Sequence, residues 1–143
     1  NLRFRFVNVN RRNSFIICMS ASFILTSCGE ALTQTIVDAL KSKKYVLLND
    51  YIHADRLCVF PEGTTTPRAE AAQIFGTDSI IISSDYDSDG YWFIVAYMKG
   101  TKSVNVYPIN KIHISLKYDR IYCDDLVGLA SNGRVVNIEP QDK

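Results

Sequence analysis

From residue 45 onward the chain is cut into short apolar runs, each closed by a turn signal. Runs of that length, rich in Val, Ile and Tyr, suit strands and are too short for most helices. Residues 45–48 and 56–60 read as strands, and Pro61-Glu62-Gly63 closes the second. Residues 79–83 and 91–98 are apolar on both faces of the pleat, the pattern of central strands buried on both sides. The polar stretch 85–90 between them reads as the turn of a hairpin. Lys99-Gly100-Thr101-Lys102 marks another turn, leading into a strand over 103–107.

Further on, Ile112, Ile114, Leu116 and Tyr118 alternate with His113, Ser115 and Lys117, predicting a half-exposed strand. Residues 121–123 continue that strand or begin the next. Ser131-Asn132-Gly133 is a turn signal ahead of a last strand over 134–138. Residues 69–75 fit either a helical turn or a strand. Strands at such regular spacing predict an all-β fold over residues 45–143, a small antiparallel β-sandwich of immunoglobulin-like type.

The first 44 residues follow other rules. Residues 1–13 carry Arg3, Arg5, Arg11 and Arg12 and no acid, and a short apolar stretch over 14–25 follows. A basic flank, a short apolar stretch and then small residues is the layout of a secretory signal peptide, here 1–27. The apolar stretch falls short of the ~20 residues needed to span a bilayer. Its end, Leu25-Thr26-Ser27-Cys28, resembles the lipobox of bacterial lipoproteins. That resemblance implies cleavage before Cys28, diacylation of its thiol and acylation of the freed amine. By the sorting rule of such lipoproteins, Gly29 after the cysteine implies the periplasmic face of the outer membrane. Two or more acyl chains, at ~0.8 kcal/mol per buried methylene, anchor stably where one does not. Residues 28–44 then form the lipidated N-terminus and a tether or short helix, with Leu32, Ile36, Val37 and Leu40 at helical spacing.

Cysteine usage agrees with that compartment. Of four cysteines, Cys18 lies in the signal and Cys28 in the lipobox, which leaves Cys58 and Cys123. An even pair outside the cytosol reads as a disulfide, with two buried free thiols as the alternative. Neither has a second Cys or a His at zinc-ligand spacing.

Charge and composition narrow the function. The chain is 47% hydrophobic and 22% charged with a net charge of +1, so it is no disordered polyelectrolyte. Setting aside the four arginines of the signal leaves twelve cations against fifteen acids. That balance provides no basic field for nucleic acid.

Asp85, Asp87, Asp89 and Gly90 match the first half of a calcium loop. The twelfth position holds Ala96 in place of the bidentate Glu, and strands flank the loop, so the EF-hand reading fails. A plain turn explains the same residues, because Asp and Gly favour turns without metal. His53 and His113 lie in no local catalytic signature, and Asp124-Asp125 reads as a solvated strand edge. No Gly-rich phosphate loop is present. The expectation is therefore a chain without catalytic residues, metal, cofactor or small-molecule substrate. For partner binding the candidates are Asp85, Tyr86, Asp87, Asp89 and Trp92, aromatic anchors among carboxylates that would steer a basic protein surface.

The lipobox ending at Cys28, the strand Leu57-Cys58-Val59 and the late Cys123, set around a β-sandwich, resemble small periplasmic lipoproteins of the type VI secretion immunity class. The resemblance covers the layout of the whole chain. It implies a non-enzymatic immunity protein that binds and neutralises a secreted toxin in the periplasm. A structural or pilotin-like assembly lipoprotein of an envelope machine is the alternative, with an envelope protein as its partner.

Overall fold

The computed structural model describes residues 25–82 and 90–141, with 25–28 as backbone only. Helix α1 (Leu25–Ser42) leads into β1 (Tyr45–Leu47), a 3-10 turn (Leu48–Asp50) and β2 (Arg56–Phe60). Helix α2 (Pro67–Phe75), β3 (Ile80–Ile82), β4 (Tyr91–Met98) and β5 (Ser103–Asn110) follow. The chain then forms β6 (Ser115–Leu116), β7 (Tyr122–Asp124), β8 (Gly128–Ser131) and β9 (Val135–Glu139). The strands make two sheets, one of four in the order β1-β8-β9-β6 and one of five in the order β3-β5-β4-β2-β7. This is a mostly-β, sandwich-like architecture with two helices.

In the five-stranded sheet, residue alternation sends side chains to two buried faces. Leu57, Val59, Trp92, Ile94, Ala96 and Ile109 join the cluster that the four-stranded sheet contributes to through Val46, Leu129, Val136 and Ile138. Cys58, Phe60, Phe93, Val95, Val104 and Val106 point the other way, into a second cluster with Ala71 of α2 and Ile80. Helix α2 also stacks Phe75 on Tyr97, centroids 4.7 Å apart. Two-sided burial is why β4 reads as apolar along its whole length.

Helix α1 is an element of the core. Ile36, Val37, Ala39 and Leu40 are buried in the same cluster as both sheets, with Leu32 packed against it. The spacing of these residues places them on one stripe of the helix, which lies against β5, β1 and β8. Ser131 ties the helix to β8 by donating its hydroxyl to the Leu40 carbonyl, and the Ser131 N–H donates to the Lys44 carbonyl at 2.8 Å. Residues 29–42 are thus no loose tether, and the packed domain includes residues before 45.

The short range of α2 is set at both ends. Pro67 occupies its first turn, where a missing N–H costs no helical bond. Gly76 closes it at φ 63°, a left-handed conformation suited to glycine, and donates its N–H to the Ala72 carbonyl at 2.8 Å. Residues 69–75 therefore resolve as helix.

Several expectations are corrected. β3 is an edge strand, not a central one, and Ile81 is 46% exposed. It pairs parallel with β5 rather than antiparallel with β4, so no hairpin joins β3 to β4. β6 also pairs parallel, with β9, so each sheet departs from an all-antiparallel scheme. Ile112 does not share the inward face of Ile114 and Leu116: it sits in the turn after β5 and is 84% exposed. There the chain bends back, the His113 N–H donating to the Asn110 carbonyl at 3.0 Å, and strand alternation starts only at Ser115. Tyr122 begins a new strand in the other sheet instead of continuing β6.

Candidate functional site

The Cys58–Cys123 disulfide is formed. The two residues are direct register partners across β2 and β7, with Cα atoms 4.1 Å apart and a sequence separation of 65. Direct opposition in an antiparallel pair brings Cβ atoms to the separation that a disulfide requires. Cys58 is fully buried, whereas Cys123 is half-buried on the outermost strand of its sheet. The bond therefore fastens a three-residue edge strand, held otherwise by one ladder, to the centre of the sheet.

Around that strand, residues 118–126 bring together aromatic, aliphatic and acidic groups. Tyr118 and Tyr122 meet edge to face with centroids 6.1 Å apart, both packed on the rim of the main core. The Tyr122 hydroxyl donates to Asp124 Oδ2 at 3.4 Å. Partial burial, then the Asp124 charge and that hydrogen bond, and last Tyr118, push the Tyr122 hydroxyl above its usual range. Ile121 and Leu126 are exposed on either side. Asp125 faces Arg56 at 3.6 Å and Asp119 faces Arg120 at 3.7 Å, both exposed pairs of the kind that contributes little stability. Asn49 holds the end of this segment in place. Its Nδ2 donates to the Asp125 carbonyl at 2.7 Å, and its Oδ1 accepts from the Val127 N–H at 3.0 Å.

This edge was not singled out from the sequence. The signal was there in Tyr118-Asp119-Arg120, where apolar alternation stops and charge begins, followed by Tyr122 and the Asp124-Asp125 pair. What the sequence could not give is the strand partner that gathers these residues onto one rim.

The other candidates fall in different places. Asp85, Tyr86, Asp87 and Asp89 lie outside the described residues. Trp92, expected beside them as a surface anchor, is instead a core residue with no exposure. Its indole N–H donates to the Ile114 carbonyl at 2.9 Å, so both its apolar body and its polar tip are used inside the fold. Cys28 lies within the first two turns of α1.

His53 and His113 are both exposed, and they flank opposite ends of the five-stranded sheet. His53 precedes Asp55, whose N–H donates to the Tyr97 carbonyl, while His113 follows Asn110, the register partner of Tyr91. The length of β4, about 20 Å, therefore separates them. Among the described residues no three His, Cys, Asp or Glu side chains converge as a metal site. Also among them, no helix is long and apolar enough to cross a membrane.

Together these features define a disulfide-stapled, sandwich-like β domain with a helix built into its core and an aromatic–acidic rim at one sheet edge. No protein-family model matches the chain, and no curated protein or solved structure matches it.

Proposed function

We propose that this chain is a non-catalytic immunity lipoprotein, anchored through acylated Cys28 at the periplasmic face of the outer membrane, that binds and neutralises a secreted antibacterial toxin. The observation that carries this reading is the Cys58–Cys123 disulfide, a bond that persists in oxidising compartments and is rare in the cytosol. The Leu25-Thr26-Ser27-Cys28 motif supports the same address from an independent part of the chain.

Within that reading, the rim formed by Tyr118, Tyr122, Ile121, Leu126 and Asp124 is the toxin-binding face. Its tyrosines, already ordered by each other and by the core, act as low-entropy anchors, and the carboxylates steer a basic surface toward them. Neutralisation is steric: a rigid domain covers the toxin's working cleft.

The test is a contact-killing assay. A strain lacking this chain is expected to be killed by its own parent, with survival restored by the wild-type gene and not by Cys28→Ser. Affinity capture on the intact lipoprotein should recover one secreted toxin, and Tyr122→Ala should weaken that capture. Survival of the deletion strain beside its parent would end the immunity reading. Recovery of a secretin or pilus subunit would replace it with an assembly role.

A further inference from the structure

The link between position 28 and the core is helical throughout, and that fixes more than distance. Helix α1 runs without a break from Leu25 to Ser42, and Ile36, Val37 and Leu40 are buried under both sheets. From Cys28 to Ile36 is eight residues, about 12 Å of helix at 1.5 Å per residue. A disordered linker of that length would let the domain tumble; a helix docked in the core does not.

The two turns in between carry little charge, with Glu30 and Gln34 on the exposed face and Gln34 Nε2 donating to Asp38 Oδ1 at 2.8 Å. Between Gly29 and Gln34 the only charge is Glu30. The Thr33 hydroxyl donates to the Gly29 carbonyl at 2.8 Å and the Thr35 hydroxyl to the Ala31 carbonyl at 2.9 Å. Their polar groups are satisfied inside the helix, which lowers the cost of removing them from water. Leu32 packs back on the core and holds this half of the helix to the domain.

The opposite end of the helix is different in kind. Lys41, Lys43 and Lys44 cluster there with Arg134 of the β8–β9 turn, all exposed. The helix end and that turn touch: a Cβ on Gly133 would lie 3.2 Å from the Lys41 carbonyl oxygen. Lys41, Lys44 and Arg134 form no ion pair among the described residues. Lys43 donates to the Tyr51 hydroxyl at 3.1 Å.

We propose that the acylated protein stands on the lipid surface in one orientation. Residues 29–35 lie at the headgroup level, and the basic end at Lys41, Lys44 and Arg134 is turned to the aqueous phase. The proposal rests on acylation of Cys28, as the proposed function does. The lipid surface is the partner; α1 is the spacer that sets both height and tilt.

The test uses the full chain, processed in cells and reconstituted in phosphatidylethanolamine–phosphatidylglycerol vesicles with a quencher on the lipid headgroups. Acylated Cys28 and the Cys58–Cys123 disulfide leave no free thiol in the processed chain, so Ala31→Cys and Arg134→Cys each give a single labelling site at an exposed position. Intact mass first reports the acyl chains. The expected result is quenching several-fold stronger at position 31 than at 134. Insertion of a Gly/Ser linker after Gly29 should bring the two values together. Equal quenching at both sites in protein that carries its acyl chains overturns the orientation alone. A mass without acyl chains overturns the anchoring, and the orientation with it.

Discussion

The two sheets are built on different terms. The five-stranded sheet is covered on both faces, by the opposing sheet and α1 on one side and by α2 on the other. The four-stranded sheet has one covered face: along β9, Val136 and Ile138 point in while Val135, Asn137 and Glu139 point to solvent. The first sheet thus derives its stability from apolar content at every position of β4 and most of β2. The second depends on register, since a slip of one residue would turn Val136 and Ile138 outward. Asn132 and Gly133 hold that register. Asn132 Oδ1 accepts from the Arg134 and Val135 N–H groups at 2.9 and 2.8 Å, and Gly133 adopts φ 90°.

This contrast can be broken by substitution. The largest loss is expected from Trp92→Ala at the centre of the doubly covered sheet. Removing a fully buried indole costs roughly 3–5 kcal/mol, and the Ile114 carbonyl left without its donor adds about 1–3 kcal/mol. Equilibrium urea unfolding should show a chain near or beyond the edge of stability. A shift below 2 kcal/mol would mean that the two faces of β4 do not carry the fold. Next comes the disulfide. Cys58→Ala with Cys123→Ala opens a loop spanning 65 positions, and the chain-entropy model gives about 4 kcal/mol for a closure of that size. Hydrogen exchange on the double variant should show β7 losing protection before β4.

Smaller effects belong to the singly covered sheet. Ser131→Ala removes the hydroxyl that donates to the Leu40 carbonyl and accepts from the Gly133 N–H at 3.1 Å. A loss of ~1–3 kcal/mol is expected, read as a lower urea midpoint with unchanged slope. The smallest is Val135→Thr on the open face, expected to change stability by less than about 0.5 kcal/mol. A loss at Val135 as large as that at Ser131 would show that the outer face is covered in solution.

The same contrast explains what could be read in advance. β2 and β4 match the apolar runs residue for residue, because two-sided burial leaves an unbroken signal. The turns at Gly63 and Gly133 were legible from glycine, and both sit at positive φ. The helical stripe of Ile36, Val37 and Leu40 was visible too, although only packing distinguishes a core helix from a tether.

Strand partnership was not legible. Residues 80–82 look central by composition, yet local pattern says nothing about which strand lies alongside, and here β3 pairs parallel with the edge of β5 that faces away from β4. Ile112 misled for a local reason: Asn110 captures both the Ile112 and His113 N–H groups, one with its side chain and one with its carbonyl, and that turn overrides the alternation. For the candidate site, the cysteine pair was legible from arithmetic. The rim at Tyr118 and Tyr122 was not, because it exists only once β7 is laid beside β2.

The covalent loop closed by Cys58 and Cys123 contains α2, β3, β4, β5 and β6, which is most of the five-stranded sheet. A backbone cut anywhere inside it leaves a single covalent molecule whose two pieces cannot diffuse apart. Such a nicked chain keeps its strands at high effective concentration and can re-form its ladder. The cross-link thus gives tolerance to damage as well as resistance to unfolding.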